Sequence, residues 1–553
     1  MRVGLAISGE DRLASLDHVG RSVWEALAAG HEVVPWPQRS EFSRPRERRA
    51  VVDAFVREAD VIVGYLNDLV LESRDRQGLD VPCVFHLLGG LPRGAFGWRH
   101  RFPQLTTRDV LIANSTADET LAGLLLENAT VRRMPFPVDE GFTPLALAER
   151  EWARRALGFG ADDRLILYAG RLTPEKNLHT LLRTYRAVLA AVPSAHLLVV
   201  GGAEDVPFHE FGVRPLHYAR SLERAVARLG IPDGRVHLAG SAPPSRLRLL
   251  YGMADVACNL TLHHDENFGL AQVEAMACGT PVVGSAWGGL RDTIADGEVG
   301  YQVSAEITAA GVKVHWWEAA ARVAALLQDA AARDRLGAAG PARVAAHYSA
   351  TAYQACWDAV LAEAVAGRGE TRESLRSTAF AEDFWAACTP EDDDRAPYAP
   401  EARGEAAFMR YRSFIAPYAG TTAAAVPVDA GFTAEYVYSL ATAVVASADG
   451  TLEVNDPLYP LRLAVPELWR AGVATVLAAF TREPAMTGAR LAAKVPGADA
   501  LDGPLGWLVA AGLVLRSYPT GGPLSAADVP SELAVPLFTF CRVDRASTDF
   551  LVY

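Results

Sequence analysis

Between His264 and Gly284 the chain reads His-Asp-Glu-Asn-Phe-Gly-Leu-Ala-Gln-Val-Glu-Ala-Met-Ala-Cys-Gly-Thr-Pro-Val-Val-Gly, and no other segment constrains the fold as tightly. Phe268 and Gly269 mark a loop entering a helix whose composition runs from Leu270 to Cys278. Gly279 is a C-terminal stop, and Pro281 to Gly284 open an apolar strand. A strand reached this abruptly from a helix belongs to a sheet with helices on its faces. The helix start aims unpaired N–H groups and a positive dipole end at whatever occupies the space above that sheet. Glu266 precedes the helix and Glu274 lies within it. A ligand bound there would meet phosphate-binding amides at one end and hydroxyl-binding carboxylates at the other.

The basic residues sharpen this picture. Only three of the 53 are lysines, Lys176, Lys313 and Lys494. In a chain that uses Arg wherever it serves, a Lys has a specific task. Lys176 lies in Leu165-Ile-Leu-Tyr-Ala-Gly-Arg-Leu-Thr-Pro-Glu-Lys176, an apolar strand followed by Gly170 and Arg171. Arg offers a planar fork and Lys a compact point charge, so the pair can grip different oxygens of a diphosphate. Each hydrogen bond to a charged group contributes about 1.5–3 kcal/mol.

Gly170-Arg171 with Lys176, followed by Glu266 and Glu274, resembles the donor half of a retaining glycosyltransferase of family 4. Leu111–Thr120, Met134–Asp139 with Phe142–Pro144, His196–Gly202 and Val236–Gly240 resemble further stretches of that family, in its order. The likeness covers roughly residues 1 to 367 and is strongest from about 165 to 300. It implies an α/β, GT-B architecture of two facing Rossmann-like domains. The expected domains are 1–150 on the acceptor side and 151–346 for the nucleotide sugar, with 347–367 a helix returning to the first domain. Residues 368–410 would be a linker, and 411–553 a mostly helical, winged-helix-like extension.

The resemblance also implies roles. Arg171 and Lys176 would hold the two phosphates, with Gly170, Phe268 and the amides of Gly269 and Leu270 shaping the clamp. Glu266 would accept hydrogen bonds from sugar hydroxyls, Glu274 from the ribose diol, and His86 would contact the transferred sugar. The acceptor would attack on the face the nucleotide leaves, a phosphate oxygen would take its proton, and no metal or other cofactor is expected. The first-strand loop Ser8-Gly9-Glu10 lacks the family's double glycine. Gly288-Gly289 and Asn67-Asp68 are further candidates for the cleft, while Asp392–Asp394 and Arg44–Arg49 read as solvated runs.

Composition agrees with a globular chain of several domains: 553 residues, 50% hydrophobic, 22% charged, net charge −13. That charge opposes nucleic-acid binding, and no apolar run reaches the roughly 18 residues a membrane span needs. Six scattered cysteines without a paired spacing suggest a reducing cytoplasm. Beyond residue 370 the apolar stripe Leu468–Phe480, the helices Thr487–Val495 and Leu501–Ala511, and the exit Gly512–Ser517 suggest docking, acceptor recognition or a homodimer contact. The expected partners are a nucleotide-sugar donor and a soluble small-molecule acceptor of specialised metabolism. Transfer to sulfur or carbon, a pseudo-transferase, and a non-catalytic regulator acting through the C-terminal region remain alternatives.

Overall fold

The computed structural model describes residues 1–7, 14–37, 45–87, 99–202, 218–262, 266–366, 371–387, 413–422, 431–456, 461–495, 497, 501–519, 524–525 and 533. The chain folds into two compact units. One comprises Met1–Glu140, His264–Leu270 and Arg343–Pro390; the other Gly141–His263, Ala271–Ala342 and Glu391–Tyr553.

The first unit is built on strands β1 (Arg2–Ala6), β2 (Glu32–Pro35), β3 (Val61–Tyr65), β4 (Cys83–His86), β5 (Val110–Ala113) and β6 (Thr130–Arg133). They form one parallel sheet in the order β2-β1-β3-β4-β5-β6. The central strands β4 and β5 are buried along their whole length, as near-continuous apolar runs covered on both faces must be. Asn67 and Ser115 cap the helices that follow β3 and β5, each accepting from a backbone N–H of the first turn. The helix Ala350–Ala366 lies against this sheet, with Trp357 wholly buried and its ring 5.3 Å from that of His86. Part of the expected connecting stretch is docked here as well: Ser374 and Ser377 make antiparallel bridges to Thr106 and Leu126.

The second unit contains β7 (Arg164–Ala169), β8 (Ala195–Val200), β9 (Val236–Leu238), β10 (Val256–Asn259), β11 (Val282–Ser285) and β12 (Gly300–Val303). All pair in parallel, in the order β9-β8-β7-β10-β11-β12. Numbered within the unit this is 3-2-1-4-5-6, the doubly wound Rossmann order, whose direction reverses between β7 and β10. An antiparallel hairpin, β13 (Ala305–Thr308) and β14 (Gly311–Val314), follows.

The C-terminal region has the helices read from its sequence, at Arg470–Arg482, Gly488–Lys494 and Gly506–Ala510. Among its described residues it also has six strands, of which the sequence showed only the last. These are β15 (Val437–Leu440), β16 (Ala443–Ala446), β17 (Thr451–Asn455), β18 (Leu461–Ala464), β19 (Ala485–Thr487) and β20 (Val514–Ser517). They form two antiparallel three-stranded sheets, β19-β15-β20 and β16-β17-β18. Three to five residues each, they are too short for the period-2 alternation to stand out.

This region is not tethered loosely. Ala310, from the turn between β13 and β14, sits in its apolar core beside Tyr438, Leu440 and Leu513. Trp316 Nε1 donates to the Leu440 carbonyl at 2.8 Å, and Arg183 Nη1 to the Ala441 carbonyl at 2.7 Å. Lys313, one of the three lysines, forms a buried ion pair with Asp456.

A second buried pair holds the first unit: Arg74 Nη1 donates to Asp109 Oδ1 at 2.5 Å, both side chains almost inaccessible. Asp109 also accepts from the Cys83 and Thr106 amides, so it joins β4 to the turn before β5. Removing one partner of such a pair leaves the other charge buried and costs about 3–5 kcal/mol. We therefore expect Asp109→Ala to lower unfolding free energy by that order, as measured by urea denaturation. A loss below about 1 kcal/mol would show the pair to be dispensable.

Candidate active site

In an open parallel sheet a ligand binds beyond the carboxyl ends of the strands, at the point where strand order reverses. In the second unit that point is flanked by the loop after β7, carrying Gly170, Arg171 and Lys176, and by the segment after β10. The first loop begins with a close approach. Gly170 N donates to the Val200 carbonyl at 2.9 Å, and a Cβ on Gly201 would lie 1.7 Å from the Gly170 carbonyl oxygen. Only glycine fits at 201, so the Gly-Gly pair after β8 fixes where Arg171 starts.

The loop then makes a short helical turn, Pro174–Lys176, and enters the helix Leu178–Ala191 through Asn177. Asn177 has φ +58°, the one left-handed non-glycine backbone among the described residues. Its buried side chain donates from Nδ2 to the Leu260 carbonyl at 2.8 Å. Leu262 N donates to the Glu175 carbonyl at 3.1 Å. The two loops are therefore joined beyond β7 and β10. Arg171 and Lys176 are half-buried on this joined platform. Arg171 Nη2 lies 3.7 Å from Glu175 Oε1, which also accepts from Thr173 Oγ1 at 2.5 Å. Burial raises the Glu175 carboxyl above its ordinary range, opposed by the Thr173 hydrogen bond and then by Arg171 and Lys176.

Glu274 lies on the helix Leu270–Ala277, and its Oε2 accepts from Tyr251 Oη at 2.9 Å. Tyr251 is buried under the Phe142 ring and bonded through its carbonyl to Thr280 Oγ1 at 2.7 Å. Burial first, and the Glu274 carboxylate second, push its hydroxyl well above the usual phenol range, so it remains a donor. Glu274 is thus held from behind by a fixed phenol.

Residues 266–270 belong to the first unit. Phe268 packs edge-on against Phe136 at 5.4 Å and Tyr348 at 5.5 Å, and Asn267 Nδ2 donates to Asn114 Oδ1 at 3.3 Å. Gly269 has φ +87°, as a loop turning sharply into a helix requires. Glu266 and Leu270 are half-buried.

His86 ends β4 wholly buried, stacked on Phe136 at 6.4 Å and tilted against Trp357. Neither ring nitrogen has a partner among the described residues. Burial alone lowers its pKa to about 3, so the ring is neutral at pH 7. The structure thus gathers His86, Phe136 and Phe268 in one aromatic cluster. It sets Arg171 and Lys176 on one loop of the second unit and Glu274 on the helix Leu270–Ala277.

Other candidates have structural tasks: Asn67 is a helix cap, Asp68 pairs with Arg101, and the Gly288 amide donates to the Tyr418 carbonyl. Ser8–Glu10 and Asp392–Asp394 lie outside the described residues. The sequence reading missed Tyr251, Glu175, Asn177 and Gly201. Only the Gly201-Gly202 doublet after an apolar strand carried a usable signal.

Residues 149–343 match the family model for glycosyl transferases group 1. A D-inositol 3-phosphate glycosyltransferase of Segniliparus rotundus is 34% identical over 230 residues, covering 41% of this chain and 45% of that protein. That of Actinosynnema mirum is 32% identical over 285 residues, covering 49% and 60%. The chain therefore spans about half the length of these curated relatives. Among solved structures, a glycosyltransferase from Rickettsia africae superposes with a TM-score of 0.51 at 14% identity, over 66% of this chain and 98% of its own. Anabaena HepE, solved in complex with UDP, superposes at 0.50 with 20% identity, over 65% and 99%. These likenesses show the GT-B fold.

Two outcomes are expected. Tyr251→Phe removes one hydrogen bond to a carboxylate, about 1.5–3 kcal/mol. On the expectation that Glu274 takes a ribose diol, it should weaken binding of a nucleoside diphosphate roughly tenfold by calorimetry while leaving inorganic pyrophosphate binding unchanged. The second concerns acid. The folded pKa of His86 lies below the ordinary value of about 6.5, so the unfolded chain takes up the proton first. The stability that depends on its neutrality is complete above pH 6.5 and is lost as pH falls below it, by up to about 1.4 kcal/mol per pH unit. His86→Phe should flatten the fall of melting temperature between about pH 6.5 and 5; an unchanged slope would contradict the assignment.

Proposed function

We propose that this chain, whose residues 149–343 match the family model for glycosyl transferases group 1, moves a sugar from a nucleoside-diphosphate sugar to a small soluble acceptor with retention of configuration. The observation that carries this is the cationic loop after β7, joined to the segment after β10 at the switch point of the second sheet. Arg171 and Lys176 hold the two phosphates and offset the charge that grows on them as the sugar's C1–O bond breaks. The amides of Gly269 and Leu270 add donors with a helix dipole behind them. Glu274, aimed by Tyr251, takes the ribose diol, while Glu266 and neutral His86 accept or donate hydrogen bonds to sugar hydroxyls. The acceptor hydroxyl forms the new bond to C1 on the face the diphosphate leaves, and its proton passes to the departing phosphate oxygen. Two side-chain cations supply the charge a metal would otherwise bring, so the rate should be insensitive to a chelator.

Among the described residues no helix is long and apolar enough to cross a membrane, which suits a soluble acceptor. The four described cysteines, Cys83, Cys258, Cys278 and Cys356, are free thiols, which suits a reducing cytoplasm. UDP leads the panel of nucleotides to test because the HepE structure of the same fold holds it. A thermal-shift comparison of UDP, GDP, ADP and dTDP should show one that raises the melting temperature, since a ligand bound only by the folded state stabilises it by mass action. Lys176→Ala should raise that nucleotide's Kd by roughly ten- to a hundredfold and abolish hydrolysis of the matching nucleotide sugar. No shift with any of the four, or full activity in Lys176→Ala, would overturn the reading.

A further inference from the structure

Glu175 has no role in the reaction just proposed, yet it stands between the two cations in the same loop. Its side chain is 1% exposed. An acid buried here opposes both folding and the arrival of a diphosphate, because it is taken out of water and repels the incoming charge. Its contacts indicate what offsets that. One carboxylate oxygen is fixed by Thr173 Oγ1 at 2.5 Å and faces Arg171 Nη2 at 3.7 Å. Its carbonyl takes the Leu262 amide at 3.1 Å and Thr261 Oγ1 at 3.4 Å. One residue thus ties the loop after β7 to the segment after β10 through its backbone and orients the loop's guanidinium through its side chain. The 3.7 Å separation is an ion pair rather than a hydrogen bond, so it sets direction without consuming an N–H donor. Arg171 and Lys176 in turn oppose the burial that raises the Glu175 carboxyl.

We infer that Glu175 is a positioning residue for nucleoside-diphosphate recognition, holding Arg171 in the orientation in which its fork meets the phosphates. This rests on the donor site proposed above. Glu175→Gln keeps an oxygen for Thr173 and removes the charge, so the inference predicts coupling to Arg171 in nucleotide binding. The test is a double-mutant cycle on wild type, Glu175→Gln, Arg171→Ala and the double variant, with Kd for UDP, GDP, ADP or dTDP, whichever the wild type binds, read by calorimetry. Glu175→Gln should weaken binding about tenfold in wild type and less than about twofold in Arg171→Ala, a coupling within the range for residues in contact. Equal losses in both backgrounds would mean the acid merely stabilises the loop and would overturn the inference. If Glu175→Gln fails to fold, Glu175→Asp withdraws the carboxylate by one methylene and should show the same dependence on Arg171. A wild type that binds none of the four nucleotides sinks the functional reading and this inference together; binding with additive losses sinks the inference alone.

Discussion

The hydrogen bonds that join the loop after β7 to the segment after β10 are the constraint on which the proposed chemistry depends. Leu262 N to the Glu175 carbonyl and Asn177 Nδ2 to the Leu260 carbonyl are both within 3.1 Å. They cross the one place in the second sheet where strand order reverses and side chains from two βα units can converge. Hydrogen bonding to a phosphate fades steeply beyond about 3.2 Å, so a clamp whose cations drifted by an ångström would lose most of its hold. Asn177 shows how this rigidity is achieved. A left-handed turn is strained for most side chains, but Asn tolerates it, and its amide makes the cross-loop bond that glycine could not.

The same economy of means recurs in the C-terminal region. Its core is completed by Ala310 from the hairpin that follows the second parallel sheet, and its strand end at Leu440 and Ala441 accepts from Trp316 and Arg183. Arg183 is carried by the helix that begins two residues beyond Lys176. The helix behind the cationic loop is therefore hydrogen-bonded to the C-terminal region. Buried ion pairs such as Lys313 with Asp456 add little net stability but penalise any arrangement that separates the partners.

Much of this was legible in the residues. The apolar strands, the glycine at 279 ending a helix with φ +77°, and the Lys in an Arg-rich chain all carried local signals that tertiary structure left intact. What escaped depended on distance. Tyr251 lies 23 residues before Glu274, and nothing in either segment announces their hydrogen bond. Glu175 was visible only as an acid between two cations, because burial, which gives it meaning, is a property of the packed loop. The strands of the C-terminal region were missed because segments of about four residues hold two turns of the pleat at most, too few for alternation to show.

The hairpin β13–β14 has a consequence for how this protein can be taken apart or recombined. Because its turn fills a place in the core of another region, neither piece is chemically complete when expressed alone. A graft of residues 431–517 onto another scaffold would need to bring residues 305–314 with it, or supply a small apolar residue where Ala310 now sits. Fragments cut by sequence position between the hairpin and the C-terminal region would leave an unfilled socket on one side and an uncovered turn on the other.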